Sequence, residues 1–365
     1  MFEIIKQDEK TKARLGRLRL AHGVVETPVF MPVATRGVVK TATSQELVEI
    51  GIEMLICNAY HLMLRPGMEV ISGAGGLHSF MQWSKPLVSD SGGFQIFSLS
   101  RLNKVTDAGV HFQSHIDGTP LFLGPKESME MQKALGADIV MCFDEYPPNA
   151  ADKETLELAV RRTIKWAEVC RKSPLQTHQN LFSIVQGGGD SALRRLCAQE
   201  LQAMNFAGYA IGGLFIGESS EDVNRLIEDV EPFLPAHKPR YLMGVGTPLN
   251  IIEAVLRGVD MFDCVLPTRA ARGGTLYTWQ GKIQIMASKY AKDFSPLDPE
   301  LESYASKFSK AYIRHLFNVG EITGLTLATV QNLAFYLDFM VQLRASIREG
   351  TLSDFYEKVA SIYPI

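Results

Sequence analysis

Cysteine is scarce and scattered in this chain. Cys57, Cys142, Cys170, Cys197 and Cys264 occur singly, with no CxxC pair, which excludes a disulfide framework and suits a reducing cytosol. Long hydrophobic runs are missing as well. No stretch approaches the roughly 20 apolar residues that cross a bilayer, and Met1-Phe2-Glu3-Ile4-Ile5-Lys6 lacks the pattern of a signal peptide. A cytoplasmic protein with no membrane contact is expected. Positive charge is not in excess either: the net charge of −3 argues against a surface that coats nucleic acid. The basic charge is local, since positions 268–315 hold eight Lys/Arg against four Asp/Glu.

What is present is enough for one large domain with an appendage, at 365 residues and 46% hydrophobic. Apolar runs of the length of buried strands recur at 27–34, 53–59, 86–89, 137–143, 181–186, 209–214, 240–245 and 261–266. Helical patterns lie between them. Thr43-x-x-Glu46 reads as a capping box. Leu156, Val160, Ile164 and Ala167 mark one apolar helical face, Leu193, Leu196, Leu201 and Met204 another, and Asn250 to Val259 a shorter helix. Alternation of strand and helix repeated in this way predicts an α/β fold, a (β/α)8 TIM barrel with a small C-terminal helical subdomain.

Barrel chemistry gathers at the C-terminal ends of the strands. Those ends read Asp90-Ser91-Gly92-Gly93, Asp144-Glu145, Gln186-Gly187-Gly188-Gly189, Gly212-Gly213-Leu214, Gly244-Val245-Gly246 and Asp263. Glycines let a flat ligand approach the backbone closely, while Asp144 and Gln186 supply the acceptor and amide that a purine edge requires. The ligand implied is planar and rich in donors. Blander readings stand beside this one: Asp90 as a turn anchor or helix cap, Asp144 as a rim ion-pair partner, Gln186 as a loop support, and Asp263 salt-bridged to Arg269. Asp263 is the hardest to explain away, because a carboxylate ending the run Met261-Phe262 needs a partner or a task to offset desolvation.

The ordered segments Ser89-Asp90-Ser91-Gly92-Gly93-Phe94-Gln95, Gln186-Gly187-Gly188, Ala210-Ile211-Gly212-Gly213-Leu214, Tyr241-Leu242-Met243-Gly244-Val245-Gly246 and Asp263-Cys264-Val265-Leu266-Pro267-Thr268-Arg269 resemble the bacterial tRNA-guanine transglycosylases, the queuine tRNA-ribosyltransferase family. Likeness runs from Thr27-Pro28-Val29-Phe30 through Asn58-Ala59-Tyr60-His61 to Ala311-Tyr312-Ile313-Arg314-His315. The resemblance implies a TIM-barrel enzyme of queuosine biosynthesis. Such an enzyme replaces guanine at the wobble position of tRNAs with a GUN anticodon by a 7-deazaguanine, without a nucleotide cofactor. Carried over by position, Asp263 becomes the nucleophile at the ribose C1′ and Asp90 the proton acceptor. Asp90, Ser91, Gly92, Gly93, Phe94, Asp144, Gln186, Gly213, Leu214 and Met243 would surround the base. Gly244, Val245, Gly246, Thr247, Pro248, Leu249, Asn250, Thr268, Arg269, Ala270, Ala271 and Arg272 would meet the tRNA anticodon loop. A homodimer is implied as well.

Two departures from the family pattern stand out. Bacterial members carry a structural zinc on Cys-x-Cys-x-x-Cys and a later histidine, but here Leu301, Ser303 and Ser306 stand at the cysteine positions. His315 is read as the surviving histidine, and one imidazole does not close a tetrahedral site, so no zinc and no other cofactor is expected. The appendage is then expected to pack through Tyr304, Phe308, Tyr312 and Leu316 as one helical face. Ile216, where a glycine would make room for queuine, favours the smaller 7-aminomethyl-7-deazaguanine, and Tyr146 is bulkier than the cysteine often found after Asp-Glu. A further apolar pattern through Leu325, Val330, Leu333, Leu337, Met340 and Ile347 predicts a long C-terminal helix. The expected division is 1–270 for the barrel and 271–365 for the C-terminal subdomain. Two rivals remain: a barrel glycosidase acting on free nucleosides, and a non-catalytic or queuine-specific tRNA-binding relative.

Overall fold

The computed structural model describes residues 1–99, 103–147, 151–214 and 218–364. Near the N-terminus, β1 (Phe2–Gln7), β2 (Arg14–Leu20) and β3 (Gly23–Thr27) form an antiparallel sheet. Eight parallel strands follow around a closed barrel: β4 (Val29–Ala34), β5 (Leu55–Cys57), β6 (Leu87–Ser89), β10 (Ile139–Met141), β11 (Asn180–Val185), β12 (Gly208–Ile211), β13 (Arg240–Leu242) and β14 (Met261–Cys264). Between β6 and β10 lies an inserted antiparallel sheet of β7 (Asn103–Thr106), β8 (Gly109–Gln113) and β9 (Pro120–Leu123). The hairpin β15 (Thr275–Thr278) and β16 (Gly281–Gln284) belongs to the C-terminal part.

Each of the eight apolar runs forms a barrel strand. Closure is made by β14 lying parallel to β4, with Met261 opposite Val29 and Cys264 opposite Pro32. Val33, Ile56, Val88, Met141, Ile184, Ala210, Tyr241 and Met261 fill the barrel interior, and Leu18 and Val25 from the β2–β3 hairpin join this core. A second core between barrel and helices takes in Leu47, Val160, Leu201, Phe335, Phe339 and Leu343. Burying side chains of this size is worth about 1.5–3 kcal/mol apiece.

Local signals decide where the helices start. Thr43 and Glu46 form the predicted reciprocal capping box before Ser44–Glu49. Helix Lys153–Lys172 buries Val160 and Ala167 behind an Asp152 cap. In helix Ser191–Ala203 the buried face is Leu193, Arg194, Cys197, Ala198 and Leu201, whereas Leu196 is exposed. Cys197, four residues on from Leu193, takes the place expected for Leu196, as helical periodicity requires. The short helix begins earlier than expected, at Pro248 after the Thr247 cap, and ends at Leu256.

The appendage differs from its expected form. Tyr304 and Phe308 do not share a helix with Tyr312, because only Ala305–Lys307 turns, Phe308 is extended, and Ser309 caps a new helix, Lys310–Val319. Tyr304, Phe308 and Tyr312 are exposed, and the packing instead comes from Leu276, Ile283, Ile285, Leu297, Ala305, Ile313, Leu316 and Leu327. Ser303 and Ser306 are buried, and Ser306 Oγ donates to Gln331 Oε1 at 2.9 Å while Gln331 Nε2 donates to Tyr277 O at 3.0 Å. Exposed on its helix, His315 does not meet the serine; Gln331 does. Helix Ile322–Glu349 packs Val330, Leu333, Met340 and Ile347 into the body of the protein. No helix among the described residues is long and apolar enough to cross a membrane.

Candidate active site

A cavity of about 560 Å³ opens at the C-terminal ends of the strands, lined by Asn58, His61, Asp90, Ser91, Phe94, Gln95, Asp144, Tyr146, Gln186, Gly213, Leu214, Tyr241, Met243, Gly244, Asp263 and Arg269, among others. Asp263 is delivered by β14. Its Oδ1 accepts from Tyr241 Oη at 2.5 Å and Gly244 N at 2.9 Å, and no partner for Oδ2 occurs among the described residues. Burial raises its pKa above the usual carboxylate range, against the opposing pull of those two donors. No ion pair forms with Arg269 among the described residues, so the salt-bridge reading of Asp263 fails.

Asp90 follows β6 and is buried. Its carboxylate accepts from Asn58 Nδ2, from Ala59 N at 2.8 Å and from Gln95 Nε2 at 2.9 Å. Burial pushes its pKa up to about 6, the three donors restrain the rise, and the Asp263 charge adds to it. Because Ala59 opens the helix Ala59–Leu64, Asp90 also caps that helix. Asp144, three residues beyond the end of β10, accepts from Gln186 Nε2 at 2.7 Å and Ser91 Oγ at 3.3 Å. It too is raised to about 6 by burial, and no cation pairs with it among the described residues. Gln186 thus holds the carboxylate rather than loop backbone.

Glycine is required where the pocket wall is tightest. Gly213 has φ +66°, and a Cβ there would lie 2.5 Å from Gln186 Oε1. The turn carrying Gly92 and Gly93 brings Ser91 beneath Asp144, and Gly93 N is held by Ser91 Oγ at 3.2 Å. Phe94 is 47% exposed at the rim and meets the edge of Tyr146 with ring centroids 5.2 Å apart. Ile216 lies outside the described residues.

The expected RNA-facing residues divide by exposure. Gly244 and Arg269 are exposed, and Thr247, Asn250, Ala270 and Arg272 are half-buried. Val245, Gly246, Pro248, Leu249, Thr268 and Ala271 are buried, so they shape the surface from beneath. Arg272 Nη1 is tied to Thr268 O at 2.8 Å. Sequence reasoning did not single out the supports: Asn58 and Gln95 on Asp90, Tyr241 on Asp263, and His61 at the mouth. Burial, together with the charges of Arg36, His115 and Lys40, pushes the His61 pKa down to about 4, leaving it neutral at pH 7.

Potential metal ligands gather elsewhere. His22, His78 and Asp138 converge at the N-terminal end of β10, yet the two imidazoles stack at 3.5 Å and 17°, so their in-plane lone pairs run side by side rather than toward one ion. Asp138 already accepts from His22 N and Nδ1 and from Leu87 N. All five cysteines are free.

Barrel proteins with a polar cavity at the C-terminal ends of the strands, where barrel enzymes hold their active sites, form the class to which this fold and pocket belong. Comparison with known proteins narrows the class: residues 8–365 match the model of the family described as Queuine tRNA-ribosyltransferase, and the chain belongs to that family. Over 365 residues it is 51% identical to the Queuine tRNA-ribosyltransferase of Moorella thermoacetica, covering 99% of this chain and 98% of that protein. The proteins of the same name from Caldanaerobacter subterraneus and Bacillus licheniformis are 51% and 49% identical, each over 99% of this chain and over 97% and 96% of their own lengths. The family makes the chain a tRNA-guanine transglycosylase, a pentosyltransferase.

Proposed function

We propose that the chain exchanges guanine at the wobble position of GUN-anticodon tRNAs for 7-aminomethyl-7-deazaguanine by double displacement. One observation carries the assignment of roles: Asp263 has one oxygen pinned by Tyr241 and Gly244 and the other without a partner among the described residues, in a cavity shared with Asp90. The free Oδ2 attacks the ribose C1′, the bond from C1′ to guanine breaks, and a covalent ester to the tRNA remains. Guanine leaves with the electron pair of that bond and takes up a proton from solvent. Asp90 then accepts a proton from the incoming base as its ring nitrogen attacks C1′ and displaces the Asp263 carboxylate. Two inversions retain the configuration at the sugar.

Asp144, Gln186 and the backbone of Gly213 read the edge of the base, while Ser91, Gly92 and Gly93 build its floor and Phe94, Leu214 and Met243 its walls. Tyr146, edge-on to Phe94, narrows the space beside the base and favours the smaller substituent over queuine. The target nucleotide must leave the anticodon stack to reach Asp263, with Arg269 and Arg272 on the flanking phosphates. We read 1–270 as the barrel and 271–365 as the subdomain beside it.

The chemistry needs no metal step. At the cysteine positions of the family's zinc, Leu301 offers no donor, Ser306 is bonded to Gln331, and His315 is exposed; neutral hydroxyl and amide groups of this kind do not fit Zn²⁺. Exposed Phe294, Tyr304 and Ile322, with Phe308 and Tyr312 stacked at 5.5 Å, support a homodimer formed through the appendage. A cytoplasmic location follows from an enzyme acting on tRNA.

The test follows labelled guanine into tRNA with a GUN anticodon, for wild type and Asp263→Ala, with 7-aminomethyl-7-deazaguanine as competitor. Incorporation lost in the variant and suppressed by the competitor supports the reading. A folded, tRNA-binding wild type that incorporates nothing would instead be an accessory protein. Light scattering showing a fully active monomer at micromolar concentration would remove the dimer.

A further inference from the structure

Behind the pocket lies a cation that makes no contact with the reacting groups. Arg194, on helix Ser191–Ala203, is fully buried. Its guanidinium donates from Nε to Gly188 O at 2.6 Å, from Nη1 to Gly212 O at 3.1 Å and from Nη2 to Gly213 O at 3.0 Å. Those three bonds go to carbonyls of the two glycine loops, not to a carboxylate. Burial lowers its pKa to about 10, which still leaves it charged at neutral pH.

The consequence lies in the geometry of the peptide. In a planar trans peptide the C=O of one residue and the N–H of the next point in opposite directions. Holding Gly212 O and Gly213 O toward the helix therefore turns Gly213 N–H and Leu214 N–H the other way, and both residues line the cavity. Among the described residues neither N–H has a protein acceptor. The Gln186 side chain stands against the same wall, its Oε1 2.5 Å from where a Gly213 Cβ would be.

We propose that Arg194 is a positioning residue that locks two consecutive peptide planes, so that Gly213 N–H and Leu214 N–H present a paired donor to the ring oxo group of the bound base. A guanidinium suits this task because its planar fork reaches three carbonyls at once and, being charged, polarises the peptides it holds. The inference rests on the base-exchange reading but makes its own demand: discrimination for a base carrying an oxo group.

Calorimetry of guanine and of 2-aminopurine, which lacks the 6-oxygen, binding to the enzyme without tRNA tests this directly, alongside exchange kinetics for Arg194→Lys and Arg194→Gln. Wild type should prefer guanine, and both variants should compress that preference by roughly 10-fold, lysine less than glutamine. KM for the base should rise while KM for tRNA stays within about twofold. Equal loss of both bases, or a parallel rise in the tRNA KM, would reduce Arg194 to a fold support and overturn the proposal. Should the variants not fold, hydrogen exchange on wild type decides: guanine must protect the Gly212–Leu214 amides more than 2-aminopurine does, and equal protection overturns it. Failure of wild type to incorporate guanine, with discrimination intact, would sink the base-exchange reading and not this one.

Discussion

Two strands carry an aspartate at each end, and the two ends treat them in opposite ways. Before β14, Asp260 is held by the Arg14 guanidinium at 2.6 and 2.8 Å and by Arg240 N at 2.7 Å, whereas Asp263 near the end of that strand accepts, among the described residues, from a phenol and a peptide N–H alone. Before β10, Asp138 lies against His78 and accepts from Leu87 N and His22; beyond it, Asp144 accepts from an amide and a hydroxyl. Burial would raise the pKa of Asp138, but its donors outweigh burial and hold it well below the usual carboxylate range. For Asp90 and Asp144 burial wins, and both rise to about 6. Charged or hydrogen-bond donors crowd the carboxylates that hold the base of the barrel, whereas among the described residues no cation pairs with those at its mouth.

The sharpest break in the comparison comes from changing both ends of β14. Asp263→Ala should lower exchange on the order of 10⁴-fold or more while the variant stays folded, as measured by guanine incorporation beside a thermal melt. Asp260→Asn should do the reverse. Removing one partner of a buried pair costs about 3–5 kcal/mol in denaturant unfolding, while the rate per folded molecule should hold. Loss of activity without loss of stability in Asp260→Asn would undo the division between the ends.

The β10 pair separates the ends by sign. A carboxyl with a raised folded pKa stabilises the fold below its unfolded pKa, and that contribution disappears as pH rises through the folded value. Asp144→Asn should therefore stabilise the protein at pH 8 by about 3 kcal/mol, the pKa difference converted, although base binding suffers. Asp138, with a lowered folded pKa, contributes stability above its unfolded pKa that is lost on acidification, so Asp138→Asn should destabilise at pH 7. Melts of the two variants moving in the same direction would refute the electrostatic contrast. A smaller effect should appear in wild-type kinetics: kcat/KM for the incoming base should fall below about pH 6 as Asp90 becomes protonated.

How far the sequence reaches follows the same physics. Barrel strands buried on both faces read as continuous apolar runs, and for that reason all eight were legible. β7–β9 was missed because its strands are short and mixed, with Val110, Phe112 and Leu123 buried among exposed neighbours. Aromatic spacing made Tyr304, Phe308 and Tyr312 look helical, but periodicity does not register the Ser309 cap that starts the helix only afterwards. Asp90, Asp144, Gln186 and Asp263 stood out as polar groups at strand ends. Their supports did not, because Asn58 on Asp90 and Tyr241 on Asp263 are tertiary contacts across neighbouring strands. Arg194 left one trace, an arginine beside Leu193 on the apolar face of its helix.

The smallest expected effect concerns the one contrast that runs the other way. At the lower end, arginines such as Arg14 and Arg240 are buried with Asp260 and Glu231, yet at the mouth Arg269 lines the same cavity as Asp263 and forms no ion pair among the described residues. An exposed guanidinium that leaves a nearby carboxylate unpaired is available to a phosphate, and each such contact releases condensed counterions when the nucleic acid binds. Arg269→Gln should then weaken tRNA binding a few-fold and reduce the slope of log affinity against log salt by about 0.7, read by fluorescence titration at several salt concentrations. An unchanged slope, with faster exchange on free base, would mean that Arg269 serves to restrain the Asp263 charge after all, and the mouth of the barrel would then follow the same rule as its base.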